Sequence, residues 1–239
     1  MKESSAGNFC HEKSFHSFVA DMATINDQTS RDRIRQKADE LFLRYGIRSV
    51  SMDDIASQLG MSKKTIYQFF SDKDELVDAV VESHLGEMEG DCLRCKGNAT
   101  DAVSEIMLTL DHLTEMCNSI NPLVLHDLEK FHFRSFQKFL NHKNQFMYRV
   151  IRENLEWGIE TGLYRTAINA DILAKFRLET MLMAFNVDLF PTSRYNFGDV
   201  CGAILEHFLY GVVSEKGYAL ILEYQHNRTN KLIQDAKTK

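Results

Sequence analysis

Residues 51–70 contain two helix-sized stretches, each opening on a serine and separated by one glycine, and neither is long enough to be stable alone. Ser51 with Asp54 three residues on is a capping-box signal, and it leads into Ile55, Ala56 and Leu59 before Gly60. Ser62 opens the next stretch, which continues through Ile66, Phe69 and Phe70. Gly60 can adopt the left-handed backbone that a sharp turn between helices requires. Ala56 is small where the two helices would cross, and Ile55, Leu59, Met61, Ile66 and Phe70 can form the core beneath them. Such a pair persists only when other helices cover it.

The flanking sequence supplies them on both sides. The spacing of Ile34, Ala38, Leu41, Phe42 and Tyr45 predicts a helix over 30–45, capped by Thr29 with Asp32 and stopped at Gly46. Ser71 with Asp74 predicts the start of a fourth helix through Leu76, Val77, Val80, Val81 and Leu85. Further helices are expected near 101–118, 122–139, 141–161, 169–190, 197–214 and 217–236, with Asn169 as a cap. Only 2 prolines and 12 glycines interrupt 239 residues, and Pro122 and Pro191 fall at helix edges. The expected fold is therefore all-α. A three-helix N-terminal domain over 29–82 is joined by the long fourth helix to a C-terminal helical domain over 83–236. Residues 1–28 show no sustained period and read as a flexible extension, in which Met22 is a second candidate start.

Several function classes fall away. No apolar run approaches the roughly 20 residues that a bilayer crossing needs. The first thirty residues lack the basic start and apolar stretch of a signal peptide. Cys10, Cys92, Cys95, Cys117 and Cys201 form no disulfide framework, and an odd count suits a reducing cytoplasm. Cys92 and Cys95 make a lone C-x-x-C with no second ligand pair at zinc-finger spacing, so two ordinary small side chains are favoured over a metal or redox site. With no Gly-rich phosphate loop, G-x-S-x-G or H-E-x-x-H, neither an enzyme nor a cofactor is expected.

The formal net charge of −6 is unevenly placed. Arg31 to Lys73 carries nine bases against six acids, a net +3, which leaves −9 on the rest of the chain. A basic segment on an acidic body suits a reader of duplex DNA. The two short helices are then a helix-turn-helix, whose second helix enters the major groove. Its exposed residues would be Ser62, Lys63, Lys64, Thr65, Tyr67 and Gln68. Lysine can reach guanine O6 and N7, threonine a thymine methyl, and glutamine an adenine. Tyr67 and Lys73 would sit beside phosphates, Lys73 at a helix N-terminus whose dipole also favours an anion. A solvated lysine pair would explain Lys63 and Lys64 singly, but not the combination of caps, glycine turn, aliphatic core and basic first turn.

The stretch "RIRQKADELFLRYGIRSVSMDDIASQLGMSKKTIYQFFSDKDELVDAVV" resembles the DNA-binding domain of TetR-family transcriptional regulators. "GIETGLYRTAINADILA" and "FLYGVVSEKGYALI" are similar to later parts of the same family, whereas residues 90–155 carry no family motif. The resemblance places base-reading roles on Lys63, Lys64, Thr65 and Gln68, and phosphate contacts on Ser51, Tyr67 and Lys73. It departs at Asp53 and Asp54, where some members use a basic residue; here these acids are expected to serve the helix dipole.

The same resemblance implies that the C-terminal domain binds an unidentified small-molecule effector and forms a homodimer on a near-palindromic operator, without a membrane. The dimer seam would draw on Leu173, Phe176, Met181, Leu182 and Phe185 of one helix, and on Leu205, Phe208, Leu209 and Val212 of another. Those faces could equally fill an intramolecular core. A cavity is expected among Met107, Leu110, Met116, Phe131, Phe133, Phe136, Phe146, Met147, Trp157 and Met183, although such residues at helical spacing are more often plain core. The leading expectation is a ligand-responsive repressor. The alternative is a DNA-binding adaptor whose large domain docks a protein partner.

Overall fold

The computed structural model describes residues 28–237, which form helices and one isolated bridge, with no strand among them. The expected N-terminal extension and Met22 therefore lie outside the described residues, apart from residue 28 itself. The chain runs through α1 (28–45), α2 (Met52–Leu59), α3 (Lys63–Phe69) and α4 (Lys73–Asn98). It continues through α5 (Ala102–Cys117), α6 (Leu123–Phe131), α7 (Phe133–His142), a π-helical turn (Lys143–Met147) and α8 (Tyr148–Glu160). The last helices are α9 (Ala170–Met183), α10 (Phe197–Val212) and α11 (Glu215–Lys237).

Local chemistry explains most boundaries and four departures from expectation. Helix α1 is already running at residue 28, so Thr29 lies inside it rather than at its cap, and Asp32 faces Arg35 at 3.8 Å instead. The α4 cap is Asp72, one residue later than expected; it accepts from the Glu75 N–H at 2.8 Å, while Glu75 reaches back to the Ser71 N–H and hydroxyl. The single helix expected over 122–139 breaks at His132, where the backbone leaves the helical region. There the His132 ring meets Asp74 at 2.5 Å, Ser135 donates to Asp78, and Lys138 donates to Asp78 at 2.8 Å. These contacts fasten α7 along α4 in a direction that an unbroken α6 would not reach. Helix α9 stops at Met183 because Asn186 turns the chain, its side-chain oxygen accepting from the N–H groups of Asp188 and Leu189.

Two principal cores result. The first gathers Ile34, Ala38 and Phe42 of α1, Ile55 and Ala56 of α2, Ile66 of α3 and Leu76, Val77, Val80 and Val81 of α4. Leu128 of α6 and Phe136 of α7 pack against it as well, so the C-terminal helices help close the N-terminal core. The second core is built mainly from α5, α8, α9 and α10, with Ile221 of α11. A buried polar knot ties its base. The Tyr164 hydroxyl donates to the Ala102 carbonyl at 2.8 Å, and Asn154 donates to the same carbonyl and to Glu105, each at 3.0 Å.

Tyr164 lies flat against Gly158, where an added Cβ would sit 2.1 Å from the ring. The ring is buried and hydrogen-bonded, so it cannot swing away cheaply. Gly158→Ala is expected to destabilise the C-terminal domain by about 1–3 kcal/mol, read as a lower urea midpoint at unchanged slope. An unchanged midpoint would show that the contact yields.

Candidate nucleic-acid interface and the cavity behind it

The helix-turn-helix is assembled by its caps. Ser51 accepts from the Asp54 N–H and the Asp54 carboxylate accepts from the Ser51 N–H at 2.8 Å, which completes the capping box and holds that carboxyl below its usual range. Gly60 ends α2 at φ +63°, a backbone that suits glycine, and the Met61 N–H returns to the Ala56 carbonyl at 2.9 Å. Ser62 then caps α3 by accepting from the Thr65 N–H at 3.1 Å, and the two hydroxyls lie 2.8 Å apart. Ile66 points into the core, which leaves Lys63, Lys64, Tyr67 and Gln68 exposed on the outer face and Thr65 partly covered.

The two lysines differ in a way that the sequence did not reveal. Lys63 bonds Asp53 of α2 at 2.9 Å, and this carboxylate holds its ammonium above the ordinary lysine range. Asp53 thus pairs with a candidate reading residue, a role missed when it was assigned only to the helix dipole; the two lie ten positions apart, and only the turn brings them together. Lys64 has no hydrogen-bond or ion-pair partner among the described residues. Lys73, expected beside a phosphate, is turned inward. Its ammonium donates to the Ile47 carbonyl at 2.6 Å and lies 5.8 Å from the Phe42 ring centre, and burial pulls its pKa down.

Behind this surface the N-terminal core is bolted to the C-terminal helices. The Arg48 N–H donates to the buried Asp127 carboxylate of α6 at 2.8 Å, and the Asn121 N–H donates to the Leu43 carbonyl at 2.6 Å. Two adjoining cavities lie along α4. One, about 100 Å³, is enclosed by α4, α5, α8, α9 and α10; the other, about 130 Å³ and nearly all apolar, reaches Phe42, Leu43 and Ile47 beside the N-terminal core. Both touch Met88, Leu113, Met116, Met181 and Cys201, so they share a wall.

Met116 and Met147 are the residues of the expected cavity set that line these spaces. Met107, Leu110 and Trp157 pack into the second core instead, Phe136 joins the first, Phe146 stacks on His142, and Phe131, Phe133 and Met183 are exposed. Periodicity shows which residues avoid water but not which of them face a gap. The expected seam also needs correction. Leu205, Phe208, Leu209 and Val212 are buried within the single chain, Leu173 packs on the second core, and Met181 and Phe185 line the cavity. Of that set Phe176 is the one described as a large exposed hydrophobe, and it shares one face of α9 with Ile172 and Met183. Cys92 and Cys95 both lie on α4, and burial pushes the Cys92 thiol up to about 11. Such a thiol is a poor metal ligand or nucleophile near neutral pH.

Residues 34–80 match the family model described as bacterial regulatory proteins, tetR family. Over 180 residues the chain is 25% identical to the HTH-type transcriptional regulator YvaF of Bacillus subtilis, covering 70% of this chain and 88% of that one. It is 23% identical to the HTH-type transcriptional repressor KstR2 of Rhodococcus jostii, covering 64% of this chain and 77% of that one. The fold matches a TetR-family regulator from Agrobacterium tumefaciens with a TM-score of 0.65 at 19% identity, covering 79% of this chain and 100% of that one. It also matches a transcriptional regulator from Saccharomonospora viridis solved in complex with choline, with a TM-score of 0.64 at 20% identity and coverage of 79% and 100%. The matched segment contains the capped α2, the Gly60 turn and the exposed face of α3, so residues 34–80 are similar to the helix-turn-helix segment of bacterial regulatory proteins of the tetR family, and the described fold is that of such regulators.

Proposed function

We propose that the chain is a homodimeric repressor that holds a near-palindromic operator through α3 and releases it when a small molecule enters the cavity along α4. One observation carries this reading: α4 closes the core beneath the reading head with Val77, Val80 and Val81 and walls the cavity with Met88 and Cys92. A ligand that shifts the second half of α4 moves the first half with it, because the helix is continuous over 26 residues. Differential affinity of the ligand for the two positions of α4 then becomes differential affinity for DNA. The assignment divides the chain into a DNA-binding unit over 29–82 and a sensing and dimerisation unit over 83–236. It acts in the cytoplasm, and no helix among the described residues is long and apolar enough to cross a membrane.

Base reading is assigned to Lys63, Lys64, Thr65 and Gln68, and backbone contact to Ser51, Ser62 and Tyr67. Lys73 keeps a contributory role, because its ammonium supports the α1–α2 connection from within. Half-sites are expected about one turn, ~10 base pairs, or somewhat more apart. Gel shifts with genomic fragments should retain one or two fragments at low salt, and retention of none would overturn the reading. Many dispersed sites would favour the adaptor instead. Lys64→Ala is expected to weaken the retained site by about 5- to 150-fold while relaxing its sequence preference. Lys73→Ala should lower thermal stability along with affinity for every sequence. Equal losses on all sequences for both variants, with stability untouched, would count against these roles.

Dimerisation is assigned to the apolar face of α9. Ile172, Phe176 and Met183 recur at i, i+4 and i+11 with 62%, 51% and 40% of their surface exposed. Phe176→Asp is expected to halve the mass measured by sedimentation equilibrium and to abolish tight operator binding. A variant that sediments like the parent would place the seam elsewhere.

A further inference from the structure

The smaller of the two cavities is lined by a cation that makes no ion pair or hydrogen bond among the described residues, although the field of Glu105 reaches it. Arg177 of α9 lines it, with its guanidinium carbon 5.3 Å from the centre of the Phe208 ring, and it has no carboxylate within ion-pair distance among the described residues. The acids around it are already engaged. Asp91 accepts from His112 at 2.6 Å and pairs with Arg94. Glu105 accepts from Asn154 at 3.0 Å, and burial pushes its carboxyl up, towards the uncharged form. Glu179 points away to Lys143 at 2.7 Å. The hydroxyls of Thr109 and Thr180 are likewise spent on backbone carbonyls of their own helices.

Burial disfavours the charged form of Arg177, yet a guanidinium keeps its proton at any physiological pH. A half-buried charge without an ion-pair partner favours an anion that enters the cavity beside it. A guanidinium presents a planar fork of donors that matches a carboxylate with two parallel hydrogen bonds. A single cation balances one carboxylate, whereas a phosphate dianion would leave excess negative charge in an apolar enclosure.

The remainder of the space defines the rest of the molecule. From Arg177 the lining becomes apolar through Leu113, Met116 and Met181 into the second cavity, which ends beside Phe42 and Leu43 of α1. Apart from Asp39 and His84 the lining there is apolar, so that end favours hydrocarbon over a second polar group. We infer that the effector is an aliphatic monocarboxylate of the fatty-acid class, with its head on Arg177 and its chain running along α4 towards α1. This rests on the ligand-responsive reading above and adds the chemistry of the ligand and the residue that selects it.

The test uses the full chain with octanoate, 1-octanol and octylamine as probes in isothermal titration, beside gel shifts on a retained fragment. Octanoate is expected to bind at least about tenfold tighter than octanol, with octylamine rejected. Arg177→Gln should reduce octanoate to the level of octanol while octanol binding stays unchanged, which shows that the variant is folded. Arg177→Lys, which keeps the charge but loses the fork, should fall between the two. Octanol or octylamine binding as tightly as octanoate, octanoate binding unaffected by Arg177→Gln, or no binding by any probe would each overturn the inference. Arg177-dependent octanoate binding that leaves the DNA complex intact would sustain the site and overturn only the release step. Release by octanol but not octanoate would do the reverse.

Discussion

Helix α4 belongs to two interiors at once, and the rest of the architecture follows from that constraint. Its first half must present Leu76, Val77, Val80 and Val81 to a core that α1, α2 and α3 cannot close by themselves. Its second half presents Met88 and Cys92 to the cavity of the larger domain. Short helices such as α2 and α3 have too few internal hydrogen bonds to persist alone, so their order is inherited from α4. Every contact that positions α4 therefore also positions the exposed face of α3.

Those contacts are concentrated on one side. His132, Ser135 and Lys138 of the α6–α7 region hold Asp74 and Asp78 of α4, while Asp127 of α6 holds the Arg48 N–H between α1 and α2. Asp127 is buried, so losing its donor would leave an acceptor unsatisfied. The break at His132 thus turns one helix into a clamp with two jaws, one on the α1–α2 connection and one on α4.

Much of this was legible in the sequence, for identifiable reasons. The Ser51–Asp54 box, Gly60, Ser62 and Asn169 act through neighbours within three or four residues, and such signals survive in a one-dimensional reading. The misplaced α4 cap shows the limit of that reading, since Ser71 and Asp72 both offer a side-chain oxygen and only the backbone geometry decides between them. Long-range pairings were invisible. Lys73 with Ile47, Asp53 with Lys63 and Arg48 with Asp127 depend on where helices cross, which periodicity does not encode. The apolar faces of α9 and α10 were identified as apolar, but whether each turns inward or outward depends on neighbours supplied by α5 and α11.

On the base-reading role proposed for α3, the Asp53–Lys63 bond would bear on discrimination among DNA sites. In free protein the lysine charge is already balanced, so a contact with bases or phosphates through Lys63 exchanges one anion for another instead of neutralising a bare cation. Such a contact releases fewer condensed counterions per base used, and the salt dependence of binding understates the number of basic side chains that touch DNA. Asp53, exposed on α2, would carry its own negative charge to a duplex engaged by α3. That charge is tolerable where the groove takes Lys63 in a fixed geometry, and repulsive wherever a phosphate slides past. On that reading the acid would act as a filter, taxing loose adherence along the genome more than the seated complex.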